Sequence, residues 1–183
     1  GMRRSRFMDR LPRINGSVEV SATDNVVDNA HVPAAVTTLI SEYAYCIDND
    51  RIEDWPTLFT DPCLYKITTR DNHIRGLPAH IMLCDSRGML MDRVVSVRTA
   101  NVFEPHRYRH MVSCIRITEA GDDWWRLQSN YLVTRTMLDG TMVVFSTGEY
   151  QDKIVLSEGV HKFNERIVIC DHGMINNLIA LPL

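Results

Sequence analysis

No run of apolar residues in this chain reaches the 18 or so residues that a helix needs to cross a membrane. The 183 residues contain no Gly-rich phosphate loop and no GxSxG nucleophile motif. The net charge is −3, and no basic face is patterned along the chain after residue 13. These absences argue against a membrane-spanning protein, a P-loop nucleotide-binding enzyme, a serine hydrolase and a generic nucleic-acid binder.

Cysteine is present in an odd number and without a pairing pattern. The five cysteines are widely spaced and none belongs to a CxxC pair, which is typical of reduced thiols in a cytoplasmic protein. Cys170-Asp171-His172 matches the first half of the motif that binds a Rieske iron–sulfur cluster. The eleven residues after His172 contain neither Cys nor His. We therefore expect no metal site there.

Residues 106–170 are dense in β-branched and aromatic side chains and predict four long antiparallel strands. Turn-forming residues interrupt them at 119–123, 139–140 and 157–159. Asp139-Gly140 favours a two-residue type I′ hairpin. Runs of twelve or more residues at about 3.3 Å each form strands of roughly 40 Å, which must twist and curl. Gly148 inside the third strand is expected to mark a bulge or bend.

The residues before this region predict helices that cover the concave face of the sheet. Apolar residues recur at spacings of three and four over residues 33–50, which indicates an amphipathic helix. Further predicted elements are a short helix at 52–59, a strand at 63–69, a loop at 70–76 and a helix at 77–91. The fold class is therefore α+β, a curved and mostly antiparallel sheet packed against N-terminal helices.

The domain organisation is expected to be simple. Residues 33–183 should form a single domain, because a chain of this length and 45% hydrophobic content can bury one sizeable core. Residues 1–32 are expected to form an N-terminal arm, and the first 13 of them carry five arginines.

A few polar residues could carry chemistry if the chain were a stand-alone enzyme. Tyr45, Asp48 and His80 could line the mouth of a cavity under the sheet, where apolar surroundings raise the pKa of a carboxyl group enough for acid–base catalysis. The simpler interpretation is that Asp48 belongs to a solvated helix end. His106 and His110 share one strand face, but without a third metal ligand the simpler interpretation is two polar residues near a strand start.

The adjacent Trp124 and Trp125 must point to opposite faces of their strand. One should lie in the core, and the other should be available to an interface, where aromatic side chains are enriched. Arginines on the same strands would form the hydrogen-bonding rim of such a contact. The interface candidates are Arg107, Arg109, Trp124, Trp125, Arg126 and Arg135.

Several stretches carry a family resemblance: RYRHMVSCIRI from Arg107, YLVTRTMLDGTMVVFSTGEYQDKIV from Tyr131, HKFNERIVICDHGMINNLIALPL from His161, and DWPTLFTDPCLYKI from Asp54. In this order and spacing the sequence resembles the small (beta) subunit of bacterial aromatic-ring-hydroxylating dioxygenases, from about residue 36 to residue 181. The resemblance implies the cystatin-like or nuclear-transport-factor-two-like cone.

The resemblance also implies a non-catalytic subunit of an oxidoreductase complex. A Rieske cluster and a mononuclear iron are then expected on a large (alpha) subunit, and no catalytic or metal-binding residue is carried over to this chain. The family commonly assembles three large and three small chains, so a trimer within a hexamer is expected. The alternative is a stand-alone, cofactor-free isomerase, dehydratase or cyclase, because the same cone fold hosts such enzymes.

Overall fold

The computed structural model describes residues 32–99, 104–171 and 181–183. Its elements in chain order are helix α1 (Ala34–Asp48), a 3-10 turn (Trp55–Leu58), strand β1 (Phe59–Thr69), helix α2 (Arg70–Ile74), strand β2 (Met82–Cys84), helix α3 (Arg87–Thr99), and strands β3 (His106–Ala120), β4 (Trp124–Met137), β5 (Met142–Ser157) and β6 (Val160–Cys170). The predicted arm lies outside the described residues, apart from Val32. The order of elements confirms the α+β class.

The six strands form one sheet in the order β2-β1-β6-β5-β4-β3. Strands β3 to β6 pair antiparallel with their neighbours in sequence, so the predicted four-strand meander is confirmed. Strand β1 adds to its edge by pairing in parallel with β6, and β2 pairs antiparallel with β1. Among the described residues, the first and last long strands therefore lie side by side.

The type I′ turn lies at the β5–β6 hairpin and not at the β4–β5 hairpin, where the sequence predicts it. Gly140 has φ +85°, but Asp139 is not among the residues with positive φ. The Asp139 carboxylate accepts a hydrogen bond from the Thr141 N–H at 2.8 Å, and the loop closes as three residues with glycine in the left-handed region. The predicted type I′ turn at Asp139-Gly140 is therefore wrong. It is Glu158 and Gly159 that both have positive φ, as a type I′ turn requires.

Gly148 does not mark a register shift, since it pairs regularly with Tyr131 and Cys170. A Cβ atom here would collide with the backbone oxygen of Ile169, so glycine is needed for the close approach of β6. The register shifts lie elsewhere. Strand β3 has them around Cys114 and after Ile117, and the β4–β5 pairing skips Phe145 of β5. The β5–β6 pairing shifts after Lys153, and the β1–β6 pairing shifts between Phe59 and Leu64.

The prediction for residues 70–91 is wrong in both elements. The expected loop contains α2, which begins where the Thr69 hydroxyl accepts a hydrogen bond from the Asn72 N–H. The expected helix at 77–91 is instead an edge strand, β2, followed by α3. Pairing of Cys84 with Tyr65 draws this segment onto β1, and α3 then buries Leu90, Val94 and Val97. The helix therefore starts ten residues later than predicted and continues to Thr99.

Helix α1 lies across the concave face of the sheet as its periodicity predicts. Its buried residues are Val36, Leu39, Ile40, Tyr43, Cys46 and Ile47. Four of the five cysteines are buried and all five are free thiols, with Cys114 exposed at the bulge in β3. The cysteines thus behave mainly as small apolar side chains, as expected.

An ion pair is buried in the middle of this core. Arg166 on β6 lies opposite Asp152 on β5, and its Nε and Nη2 atoms each donate to a carboxylate oxygen at 2.8 Å. The guanidinium also lies 4.0 Å from the ring centroid of Tyr43, 4.3 Å from Tyr150 and 4.1 Å from Phe163. Both charged side chains are inaccessible to solvent, so the carboxylate and the three rings replace the water that the cation has lost.

Replacing Asp152 with asparagine should therefore destabilise the fold strongly. The change leaves a buried cation without its counter-charge, which typically costs about 3–5 kcal/mol. Urea unfolding followed by far-UV circular dichroism measures the loss. Glu149→Gln, three residues away on the outer face of β5, is the control and should change stability by less than about 0.5 kcal/mol. Equal effects of the two substitutions would contradict this account of the pair.

Candidate functional site

The inside of the cone is filled by aromatic side chains from α1, the 3-10 turn and three strands. These residues are Tyr43, Trp55, Phe59, Tyr65, Tyr150 and Phe163, and all are fully buried. They meet edge to face, with ring centroids 5.0 Å apart for Trp55 and Tyr65 and 5.7 Å apart for Tyr43 and Phe163. These side chains occupy the interior of the cone.

Residue Leu183 completes the filling of the cone. The Tyr43 hydroxyl donates to the backbone oxygen of Leu183 at 2.6 Å, and the Leu183 N–H donates to the Tyr65 hydroxyl oxygen at 3.1 Å. The Leu183 side chain is fully buried. Burial raises the pKa of Tyr43 and of Tyr65 above their ordinary values. Both hydroxyls are therefore neutral hydrogen-bonding groups rather than bases.

The most unusual polar pair joins α1 to β3. Asp48, the last residue of α1, accepts from the backbone N–H of His110 at 2.9 Å, and its other oxygen lies 2.6 Å from His110 Nδ1. The two side chains are 7% and 0% exposed. Nε2 of His110 is buried and has no hydrogen-bond partner within the described residues. The bidentate contact fixes the end of α1 against the edge of the sheet.

A cleft of about 590 Å³ opens beside this pair, between α1, α3 and the start of β3. Arg98 crosses its edge and forms ion pairs with Asp50 at 2.6 Å and with Glu53 at 2.7 Å. The hydrogen bond from Arg98 lowers the pKa of Glu53. Glu53 is thus held as the ionised partner of an arginine, which does not suit it to act as a general acid.

The three residues considered for acid–base chemistry do not come together. Tyr45 is exposed on α1, and it lines a small cleft with Asp48. His80 is exposed just before β2, where its Nδ1 lies 3.0 Å from the carbonyl oxygen of Pro78. Strand β2 forms one edge of the sheet and β3, which Asp48 contacts, forms the other. The histidine that meets Asp48 is His110.

The two strand histidines have separate partners. His106 Nδ1 lies 2.7 Å from the carbonyl oxygen of Glu104, whereas His110 pairs with Asp48. Among residues 32–99, 104–171 and 181–183, no group of three His, Cys, Asp or Glu side chains could hold a metal ion. The position of His172 in the half-motif after Cys170 lies outside that range.

The interface candidates divide between the two faces of the sheet. Trp125 points inwards, packs against the core and lies 5.1 Å from the His161 ring. Arg135 lies with its guanidinium 5.0 Å from the ring of Phe145, a residue that packs against the core. Trp124 takes the opposite face of β4 and covers Gly121.

The remaining arginine candidates lie on the outer face. Arg126 bridges Glu119 at 3.7 Å and Glu165 at 3.5 Å. Arg107 and Arg109 are exposed and flank the buried Tyr108. The candidates that remain available to a partner are thus Arg107, Arg109, Trp124 and Arg126.

Sequence reasoning missed the pairing of Asp48 with His110 and the place of Leu183. Alternation along β3 puts His110 on the same face as the buried Tyr108, and this inward histidine could have suggested a buried acidic partner. The segment around Leu183 is apolar but has no clear periodicity, so the sequence does not indicate that Leu183 itself lies in the core. No helix in the described ranges is long and apolar enough to cross a bilayer.

The geometry defines a class before any comparison: a curled six-stranded sheet closed by α1, in other words a nuclear-transport-factor-two-like cone with a filled interior. A family model described as "ring hydroxylating beta subunit" matches residues 42–177. The chain is 41% identical over 141 residues to subunit beta 1 of the terminal oxygenase component of terephthalate 1,2-dioxygenase from Comamonas sp, covering 77% of this chain and 92% of that protein.

Two further comparisons agree. The small subunit of anthranilate 1,2-dioxygenase from Burkholderia cepacia is 36% identical over 160 residues, with 87% of this chain and 99% of that protein covered. A crystal structure of a beta subunit assigned to an aromatic-ring-hydroxylating dioxygenase of Novosphingobium aromaticivorans has 40% identity and a TM-score of 0.75, covering 81% and 95% of the two chains. This chain therefore belongs to the beta subunits of ring-hydroxylating dioxygenases, which confirms the resemblance.

Replacing Asp48 with asparagine should loosen the attachment of α1 to β3. The carboxylate contacts two nitrogen atoms of a buried residue. Asparagine keeps only one acceptor oxygen and places an NH2 group where the other was, so the loss of one contact should lower the free energy of unfolding by about 1–3 kcal/mol. Asp50→Asn, an exposed acid two residues away, is the matched control and should cost under about 1 kcal/mol. Urea denaturation of both variants gives the comparison. If Asp50→Asn proves the more costly substitution, the structural role given to the Asp48–His110 pair is wrong.

Proposed function

We propose that this chain is the assembly subunit of an oxygenase complex, in which it binds an iron-bearing large subunit and associates with two further copies of itself. The observation that carries the proposal is the filled interior of the cone in a chain of the beta-subunit family. The space that a stand-alone cone enzyme would use for its substrate is taken by aromatic side chains, the Arg166–Asp152 pair and Leu183. The surface is then the part of the molecule available for function.

The redox groups are assigned to the partner. A Rieske cluster requires two cysteines and two histidines, whereas this sequence supplies only Cys170 and His172 in a suitable arrangement. Four of its cysteines are buried within the fold, and burial raises the pKa of Cys170, which disfavours the thiolate that an iron would need. The cluster and the mononuclear iron would therefore be carried by the large subunit.

The names of the relatives suggest the substrate class of the complex. Terephthalate and anthranilate, the substrates in those names, are both aromatic rings that bear a carboxylate. We infer that the complex containing this chain adds dioxygen to an aromatic carboxylate in the breakdown of aromatic compounds, within the cytoplasm. The small subunit contributes to this reaction by supporting the large one.

The outer surface of the sheet offers a suitable contact area. Trp124 and Arg126 lie near one end of the β3–β4 pair on this surface, and Arg107 and Arg109 lie near its other end. Aromatic side chains and arginine are the residues most enriched at protein interfaces, because they combine a large contact area with directed hydrogen bonds. These four residues form the proposed contact surface.

Co-expression with a large (alpha) subunit of a ring-hydroxylating dioxygenase from the same organism tests the proposal. The two chains should co-purify, size-exclusion chromatography with light scattering should give a mass of three copies of each, and elemental analysis should find iron only when the large subunit is present. Oxygen consumption with terephthalate, anthranilate and an uncharged aromatic such as naphthalene tests the substrate class. A monomeric small subunit that does not co-purify would refute the assembly role, and activity on naphthalene alone would refute the aromatic-carboxylate assignment.

Two adjacent tryptophans provide a matched pair for the contact surface. Trp124→Ala should weaken assembly by about 2 kcal/mol or more, roughly 30-fold in the dissociation constant, while the isolated chain keeps its stability. Trp125→Ala should instead destabilise the fold, because that ring packs against the core and against His161. Thermal unfolding and light scattering separate the two effects. The reverse pattern would show that the outer face of β4 is not the contact.

A further inference from the structure

We propose that the aromatic interior of the cone is a ligand-binding site whose occupant in this chain is its own Leu183, and that a small amide with a branched aliphatic side chain would bind in the same place if that residue were removed. This goes beyond a role in assembly and does not depend on it. The site would accept a leucyl group presented with a backbone-like amide.

Leu183 makes the contacts that a bound ligand would make: a buried apolar side chain and two directed hydrogen bonds. Its side chain is enclosed, its N–H donates to Tyr65 and its backbone oxygen accepts from Tyr43. Pro182, next to it, is buried as well, and Leu181 is partly buried. An apolar slot with two convergent polar groups that set the orientation is the usual composition of a small-molecule site.

The space that Leu183 occupies beside Tyr43 and Tyr65 is here called the slot. Its walls are supported by contacts that do not involve residues 181–183. The Tyr65 ring packs against Trp55 at 5.0 Å, and the Tyr43 ring packs against Phe163 at 5.7 Å. Tyr43 is also held by the Arg166 guanidinium, itself fixed by Asp152. Walls that are fixed in this way relax only partially when their filling is removed, so a cavity should remain.

The polar groups of the slot set the chemistry of the ligand. Tyr43 offers an O–H donor, and the Tyr65 oxygen accepts an N–H. Removal of Leu183 would leave both buried hydroxyls without these partners, beside the indole N–H of Trp55 and the hydroxyl of Tyr150, which already lack a partner within the described residues. A ligand must therefore supply an acceptor oxygen and a donor N–H next to an isobutyl-sized group, as N-acetyl-L-leucinamide does.

A route into the slot exists beside residues 181–183. Leu181 lines the cleft of about 590 Å³ together with Ile47, Val97 and Tyr108. That cleft is open to solvent, whereas Leu183 is enclosed among the rings. Residues 181–183 thus lie between the cleft and the interior, and their removal should join the two spaces.

The test is a variant that lacks residues 181–183, studied as the purified chain by thermal unfolding. N-acetyl-L-leucinamide should raise its Tm saturably, by about 3 °C or more when the probe is well above its Kd. The full chain should show no such shift, since Leu183 already fills the slot. N-acetyl-L-alaninamide, which lacks the isobutyl group, should have little effect, and N-acetyl-L-leucine tests whether a charged acceptor is tolerated. Adding Tyr43→Phe to the truncation should weaken the response about tenfold.

A second variant covers the case in which the truncated chain does not fold. Leu183→Ala keeps both backbone hydrogen bonds and empties only the side-chain volume. Benzene, which binds engineered apolar cavities, should therefore raise the Tm of this variant but not that of the full chain. Val160→Ala, an exposed change of similar chemistry, is the control. The proposal is overturned if neither variant responds to its probe, or if the unmodified chain responds equally.

Discussion

The guanidinium of Arg166 is the charge around which the core is arranged. The guanidinium is fully buried, so contacts with a carboxylate and with the faces of aromatic rings must compensate for its lost hydration. Asp152 meets this need from β5, Tyr150 from β5, Phe163 from β6 and Tyr43 from α1. A slip of one residue between β5 and β6 would turn Asp152 to the outer face, so the pair fixes the register of the two strands and the position of the helix above them.

The local periodicities of the chain were enough to predict the meander and helix α1. Alternation along β5 also places Asp152 on the same face as Tyr150 and Ile154, and this inward acid was a signal that sequence analysis did not use. Strand β2 could not be predicted from its three residues, because it exists only through its pairing with β1. The helical interpretation of residues 77–91 followed their apolar content and missed this non-local contact.

The functional prediction rested on the family resemblance, whereas the fold prediction rested on local periodicity. The chain has no catalytic motif, so its chemistry could not be derived from residue types and spacing, and the family resemblance carried the functional assignment. The candidate acid–base set failed because His80 and Asp48 lie at opposite edges of the sheet, which depends on strand order. Leu183 lies in the core although nothing in the adjacent sequence distinguishes it, because its burial depends on two tyrosines more than a hundred residues earlier.

The parallel pairing of β1 with β6 has a consequence for biosynthesis. Thr69 pairs with Cys170, so about 100 residues must follow β1 out of the ribosome before its partner strand is available. At synthesis rates of about 5–20 residues per second this takes roughly 5–20 s. During that interval the apolar faces of α1 and β1 lack the strand that covers them, and contacts so distant in sequence form slowly. The nascent chain should therefore depend on chaperones until β6 is made.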